Sequence, residues 1–235
     1  MIKKAFAIIL SVLIMVLSIY ASVNKNSDSI IFTSTQSAKI KPTIIIDAGH
    51  GGFDGGCSGA DGTLEKDINL AISLKLDRLL KSLGFKTILI RDSDTAVNTE
   101  DGAIRVKKVS DIMHRYKVMK ENPESIYLCI HQNQYSSSTS HGAQIFYSPN
   151  DTMSKSLAEN IQASIIQKVQ TDNKRQVKKC TKDVYLIYHA TTYAVLVECG
   201  FLSNQSDLSN LKTDKYQQKI SFAITCGLLD WLNSN

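Results

Sequence analysis

Past residue 42 the chain alternates short, wholly apolar runs with longer amphipathic stretches, and several apolar runs stop abruptly at a His or an acid. Thr43-Ile44-Ile45-Ile46-Asp47 is β-branched and continuously apolar up to Asp47, and His50 follows among glycines in Gly49-His50-Gly51-Gly52-Phe53-Asp54-Gly55-Gly56. Such a run predicts a strand buried on both faces, with its chemistry at the carboxyl end. Leu64, Ile68, Ile72, Leu76, Leu79, Leu80 and Leu83 recur at helical spacing, with Thr63 placed to cap the start and Gly84 to close the end. Phe85 to Arg91 reads as a second strand, and strand, helix and strand at this spacing imply a parallel pair joined by a crossover.

Ser93 to Glu124 is polar, with a faint helical pattern in Ile104, Val109, Ile112, Tyr116 and Met119, and reads as a loop plus a helix. Ser125 to His131 is a third strand, again ending in a His. Ala143 to Tyr147 predicts a short strand, and Leu157, Ile161, Ile165 and Val169 put one helix face on Ser154 to Val169. Asp183 to Tyr188 and Tyr193 to Glu198 read as two more strands, the second closing on Glu198, before a last helix from Tyr216 to Leu232. The fold class expected is α/β: a single domain with an about six-stranded, mostly parallel sheet flanked by helices.

Ahead of this domain, Lys3-Lys4 precede an apolar run from Ala5 to Val23. A basic start and a long hydrophobic segment are an export signal, and its length approaches the roughly 20 residues that span a bilayer. We therefore expect residues 1–23 to be a signal or membrane anchor, more in keeping with an uncleaved span than a cleaved peptide. Residues 24–41, rich in Ser, Asn and Thr, are expected to be a flexible linker and 42–235 the catalytic domain. The expected location is extracytoplasmic, tethered to a membrane.

Composition narrows the partners. The 235 residues are 43% hydrophobic, enough for one substantial core, and carry five cysteines, an odd number without a C-x-x-C pair. Cys129 and Cys199 fall inside apolar strand patterns and read as small buried hydrophobes. The net charge of +5 comes from scattered Lys and Arg, which gives nucleic-acid binding little support.

In an open, mostly parallel sheet, ligands bind beyond the carboxyl ends of the strands. His50, His131 and Glu198 each follow such an end, and Glu65 lies in the first turn of the helix after the glycine loop. Two imidazoles and two carboxylates at one rim suit a catalytic zinc: three N/O ligands, an open position and a carboxylate to move protons. The loop fits neither G-x-G-x-x-G, because position 54 is Asp, nor the phosphate-binding G-x-x-x-x-G-K-[ST] pattern. Asp47 is placed to orient His50 from behind. His114, His141 and His189 lack strand-end placement and read as surface or loop residues, with His141 nearest the active-site loop.

Four ordered segments carry a resemblance: Ile46-Asp47-Ala48-Gly49-His50-Gly51-Gly52-Phe53-Asp54-Gly55-Gly56, Leu64-Glu65-Lys66-Asp67-Ile68-Asn69-Leu70, Ile130-His131-Gln132-Asn133 and Val197-Glu198-Cys199-Gly200-Phe201-Leu202-Ser203-Asn204. Together they resemble the zinc-dependent N-acetylmuramoyl-L-alanine amidases of bacterial cell walls, and within them the sporulation amidases. The resemblance implies that His50, Glu65 and His131 ligate Zn2+, that Glu198 is the catalytic carboxylate, and that the lactyl amide of peptidoglycan is the substrate. It places Asn133 and Arg115 near substrate or ligands, and implies a role in spore-cortex muramic-δ-lactam formation and germination, between the forespore and mother-cell membranes. Two features depart from the family pattern: Gln134 where a small residue is usual, and the insert Thr95 to Ile112 before Arg115. Gln134 is expected to narrow the pocket or weaken the metal site, and either change to leave zinc affinity low until substrate or a partner, such as an accessory or activator protein at the spore envelope, closes the site. The competing classes are a catalytically silent wall-binding activator and a metallopeptidase of the stem peptide.

Overall fold

The first strand, β1 (Ile44–Ala48), is buried at every position, as its unbroken apolar run requires. It lies between β2 (Thr87–Leu89) and β3 (Ile126–Asn133), both parallel to it. β3 pairs in parallel with β6 (Tyr193–Phe201), which carries β4 (Gln144–Tyr147) antiparallel, and β4 carries the two-residue β5 (Lys178–Lys179). The sheet order is β2-β1-β3-β6-β4-β5. This computed structural model describes residues 41–235; the hydrophobic segment 1–23 and residues 24–40 of the linker lie outside the described residues.

Among the described residues there are six helices: α1 (Glu65–Ser82), α2 (Ile104–Lys120), α3 (Thr152–Lys168), α4 (Tyr185–Tyr188), α5 (Gln205–Leu211) and α6 (Asp214–Ser234). One sheet face is thickly covered. Ile44, Ile46, Leu128, Ile130, Val195 and Val197 meet the apolar stripes of α1, α3 and α6 there in one cluster. The backbones of α3 and α6 approach so closely that a Cβ at Gly227 would lie 2.6 Å from Ile161 Cα. Glycine costs a helix interior about 1 kcal/mol, and here it admits the neighbouring helix.

The opposite face packs Ile45, Tyr127, Cys129, Ala194 and Leu196 against Met119, Leu186 and Ile187, with only α2 and the single turn α4 above it. Strand alternation puts Asp47, His131 and Glu198 on this thinner side, since each lies two residues beyond one of its apolar members.

Two local expectations are corrected. Asp183 to Tyr188 is not a strand: Leu186 and Ile187 are both buried while Tyr185 and Tyr188, three apart, are exposed, which is one helical turn, α4. The place beside β4 is taken instead by Lys178–Lys179. Thr63 does not cap α1. Leu64 holds the capping position without a side-chain bond, and the amides of Glu65 and Lys66 donate to the carbonyls of Cys57 (2.9 Å) and Gly55 (3.2 Å). The glycine loop itself satisfies the donors that open a helix.

Candidate active site

The glycine loop folds back on the carboxyl end of β1 and turns on His50, whose φ of 61° is the left-handed region that non-glycine residues rarely enter. Three successive carbonyls are pinned to hold it. Ala48 O accepts from Arg91 Nε (2.9 Å) and Arg115 Nη1 (3.1 Å), Gly49 O from Arg91 Nη2 (3.0 Å) and Asn69 Nδ2 (3.1 Å), and His50 O from Arg115 Nη2 (2.9 Å). Strain of this kind persists only where the surroundings over-determine it. Two buried guanidiniums do so here.

Glu65 is 3% exposed in the first turn of α1 and faces both strand-end imidazoles. Its Oε1 lies 2.8 Å from His131 Nδ1, and its Oε2 lies 3.2 Å from His50 Nε2. The carboxylate is oriented by the amides of Cys57 (2.9 Å) and Gln132 (3.1 Å) and by Asn69 Nδ2 (3.2 Å). Burial works against its charge, but the two imidazoles overcome this and hold its carboxyl well below the usual range. Burial likewise disfavours charge on His50, while Asp54 and Glu65 carry its pKa up to about 9. The His50 imidazole and the Glu65 carboxylate hold each other charged.

Donor atoms of His50, Glu65 and His131 all lie within 4.8 Å of one another. Ligands at about 2.1 Å around a tetrahedral zinc sit about 3.4 Å apart, and the 2.8 and 3.2 Å separations lie within about 0.6 Å of that spacing. Gly49 and Gly56 make the cradle: a Cβ at Gly49 would lie 2.0 Å from His131 Nε2, and one at Gly56 would sit 2.5 Å from Glu65 Oε2. Two imidazoles, one carboxylate and glycines that clear space for them fit a divalent transition metal.

Glu198 pairs in register with His131 across β3 and β6 and lines the same cavity, about 310 Å³, with His50, His131 and Asp54. Its Oε2 is buried without a hydrogen-bond partner. Burial, opposed by His131, with further contributions from Glu65 and His50, pushes its pKa up to about 7. A carboxylate that titrates near neutrality beside a metal-type cluster can both take and give a proton.

Residues 44–230 match the family described as N-acetylmuramoyl-L-alanine amidase. The chain belongs to the N-acetylmuramoyl-L-alanine amidase family. It is 34% identical over 188 residues to the germination-specific N-acetylmuramoyl-L-alanine amidase of Bacillus subtilis (strain 168), covering 79% of this chain and 78% of that protein. Among solved structures it is similar to the CwlD amidase from Clostridioides difficile in complex with the GerS lipoprotein, at 38% identity and a TM-score of 0.80 over 83% of this chain and all of that one. The AmiC2 amidase of Nostoc punctiforme follows at 26% identity and a TM-score of 0.69, over 82% and 97% of the two chains. The single α/β domain and its six-stranded, mostly parallel sheet are the amidase fold.

In this amidase the remaining candidates fall into place differently. Asp47 does not touch His50. It is buried among Arg115, Tyr127 Oη (2.5 Å) and Cys129, and although burial alone would raise its pKa, Arg115 and Tyr127 bring it below the usual value. The partner of His50 Nδ1 is Asp54, at 2.9 Å. Arg115 lines the cavity and holds the His50 loop through the carbonyls of Ala48 and His50. Asn133 lies past a register shift between β3 and β6, and its carbonyl accepts from Leu202 N at 2.8 Å. Gln134 is exposed, and its Nε2 donates to Ser58 O (3.1 Å), so it braces the glycine loop and does not line the cavity. His141 is exposed and its carbonyl accepts from Arg175 Nε (2.7 Å).

Asp54 and Arg91 escaped the sequence reading. Asp54 had a signal, four residues past His50 in the same loop. Arg91 had another: it follows β2 at the same rim as the two histidines.

Proposed function

We propose that this chain is a zinc-dependent N-acetylmuramoyl-L-alanine amidase acting on peptidoglycan outside the cytoplasm. The observation that carries the reading is the convergence of His50, Glu65 and His131 donor atoms within 4.8 Å beside a buried Glu198 whose Oε2 has no partner. Zinc held by those three residues would supply Lewis acidity toward the amide carbonyl and lower the pKa of a water. Glu198 accepts the proton of the attacking water as its oxygen bonds to the lactyl carbonyl carbon. It then returns a proton to the alanine nitrogen as the carbon–nitrogen bond breaks, leaving a lactyl carboxyl and a free L-Ala amine. Glu65, fixed by three donors, keeps its orientation through the cycle, and Arg91 with Arg115 keeps the His50 turn closed.

Likeness to the germination-specific relative supports a task in spore-cortex maturation, and the basic, hydrophobic segment 1–23 supports tethering to a membrane in the space outside the cytoplasm. The GerS complex of the Clostridioides difficile relative supports an accessory protein here too.

The test is digestion of peptidoglycan by the full chain after chelator treatment, with and without added Zn2+, followed by identification of the new amino termini. New L-Ala ends that require Zn2+ and disappear in Glu198→Gln are expected. New ends within the stem peptide would reject the amidase reading, as would a Glu198→Gln protein of unchanged activity. Full activity in the chelated protein would reject the zinc.

A further inference from the structure

We propose that Lys108 and Asp54 form a positioning relay that sets how tightly His50 holds its metal. The inference rests on the zinc reading above and deepens it. Asp54 Oδ2 accepts from His50 Nδ1 at 2.9 Å, while Asp54 Oδ1 is 2.9 Å from Lys108 Nζ. With Nδ1 committed to Asp54, Nε2 is the nitrogen that faces the donor cluster, 3.2 Å from Glu65 Oε2, and it would turn its lone pair to an ion that displaces its proton. A carboxylate that takes the outer N–H of a ligating imidazole fixes the ring's tautomer and rotation and makes the inner nitrogen a better donor.

Asp54 is itself held. Its amide donates to Gly51 O (3.0 Å) and its carbonyl accepts from Gly51 N (2.9 Å), so the residue cannot drift from the turn that carries His50. Lys108 occupies the one carboxylate oxygen that His50 does not. His50 and Asp54 are similarly enclosed, with side-chain exposures of 24% and 22%, and Lys108, at 49%, is the solvent end of the relay. Lys108 comes from α2, within the insert Thr95 to Ile112 that precedes Arg115. That helix buries only Ser110, Arg115 and Met119, and two of its residues, Lys108 and Arg115, end at the His50 turn. The insert therefore reaches the metal cluster from its outer side.

An ordinary surface ion pair would touch thermal stability slightly and metal affinity not at all. The two roles separate by titrating the full chain in detergent with Zn2+ against a competing chelator and recording the thermal transition of the metal-free proteins alongside. Asp54→Ala should raise the zinc dissociation constant by about 10- to 100-fold, and Lys108→Met by about two- to fivefold in the same direction. Lys108→Arg should restore it, and Lys117→Met, on the same helix, should leave it unchanged. The visible spectrum of the Co2+-substituted protein should shift in Asp54→Ala. Wild-type zinc affinity in folded Asp54→Ala overturns the relay. If Asp54→Ala does not fold, equal affinities for Lys108→Met and Lys117→Met overturn it. A wild-type chain that binds no zinc removes the metal reading as well, a result distinct from either.

Discussion

The two faces of the sheet are built from the same strands and do different work. On the thick face, alternate residues of β1, β3 and β6 meet three long helices in one continuous apolar cluster. On the thin face the same strands run from apolar residues such as Ile45, Tyr127 and Leu196 into Asp47, His131 and Glu198 at their carboxyl ends, under α2 and a single helical turn. The ionisable strand ends lie on the thin side, where a cavity and not a packed helix meets them. The difference teaches that stability and chemistry are divided by strand parity, and that mutations on the two sides should fail differently.

The sharpest break is at the chemical end of the thin face. Glu198→Gln should lower amidase turnover by about 10²- to 10⁴-fold while the circular dichroism spectrum stays native. Next is Arg115→Ala, which strands Asp47 as a buried, unpaired carboxylate. We expect about 3–5 kcal/mol of destabilisation in denaturant titrations, together with lost activity, because the His50 carbonyl loses its donor. Leu76→Ala, fully buried on α1, should cost about 2–5 kcal/mol yet leave the turnover of the remaining folded protein unchanged. Equal activity losses for Arg115→Ala and Leu76→Ala would erase the division between the faces.

A pH experiment sharpens the same contrast. The Glu198 carboxyl is raised from 4.5 to about 7, so its neutral form is the one the fold prefers. That contribution is complete below about pH 4.5 and is lost as pH rises through about 7. In chelated protein, Glu198→Gln should therefore gain stability on the wild type across this window, by roughly 3 kcal/mol at 1.36 kcal/mol per pH unit, in parallel urea titrations at pH 5 and 8. A constant difference between the variants would show that the buried carboxyl is solvated. The smallest effect should come from Val109→Ser: 55% exposed on the outer side of α2, it should shift stability by less than about 0.5 kcal/mol.

Much of this was legible in the chain because it is local. An unbroken β-branched run such as Ile44-Ile45-Ile46 cannot be satisfied on a half-exposed strand, and the spacing from Ile68 to Leu80 cannot be satisfied except on a helix. The strand-end His50, His131 and Glu198 followed from where those runs stop. What failed was equally physical. Asp183 to Tyr188 is too short for its period to separate a strand from a helical turn, and only the packing of Leu186 beside Ile187 decided it. Thr63 lost the cap because the carbonyls of Cys57 and Gly55 came from a loop whose path depends on the metal-type cluster.

By itself, then, the sequence determined the α/β class, the register of apolar runs and the residue types gathered at one rim, since each depends on neighbours a few positions away. Only the tertiary structure decided that Asp54 rather than Asp47 orients His50, that Gly227 yields its place to α3, and that two arginines from β2's end and α2 lock a left-handed histidine. Asp54 is four residues from His50, and the other choices turn on which groups meet across 40 to 70 residues of chain. Strand parity and helix approach settle them in space, and periodicity along the sequence carries no record of either.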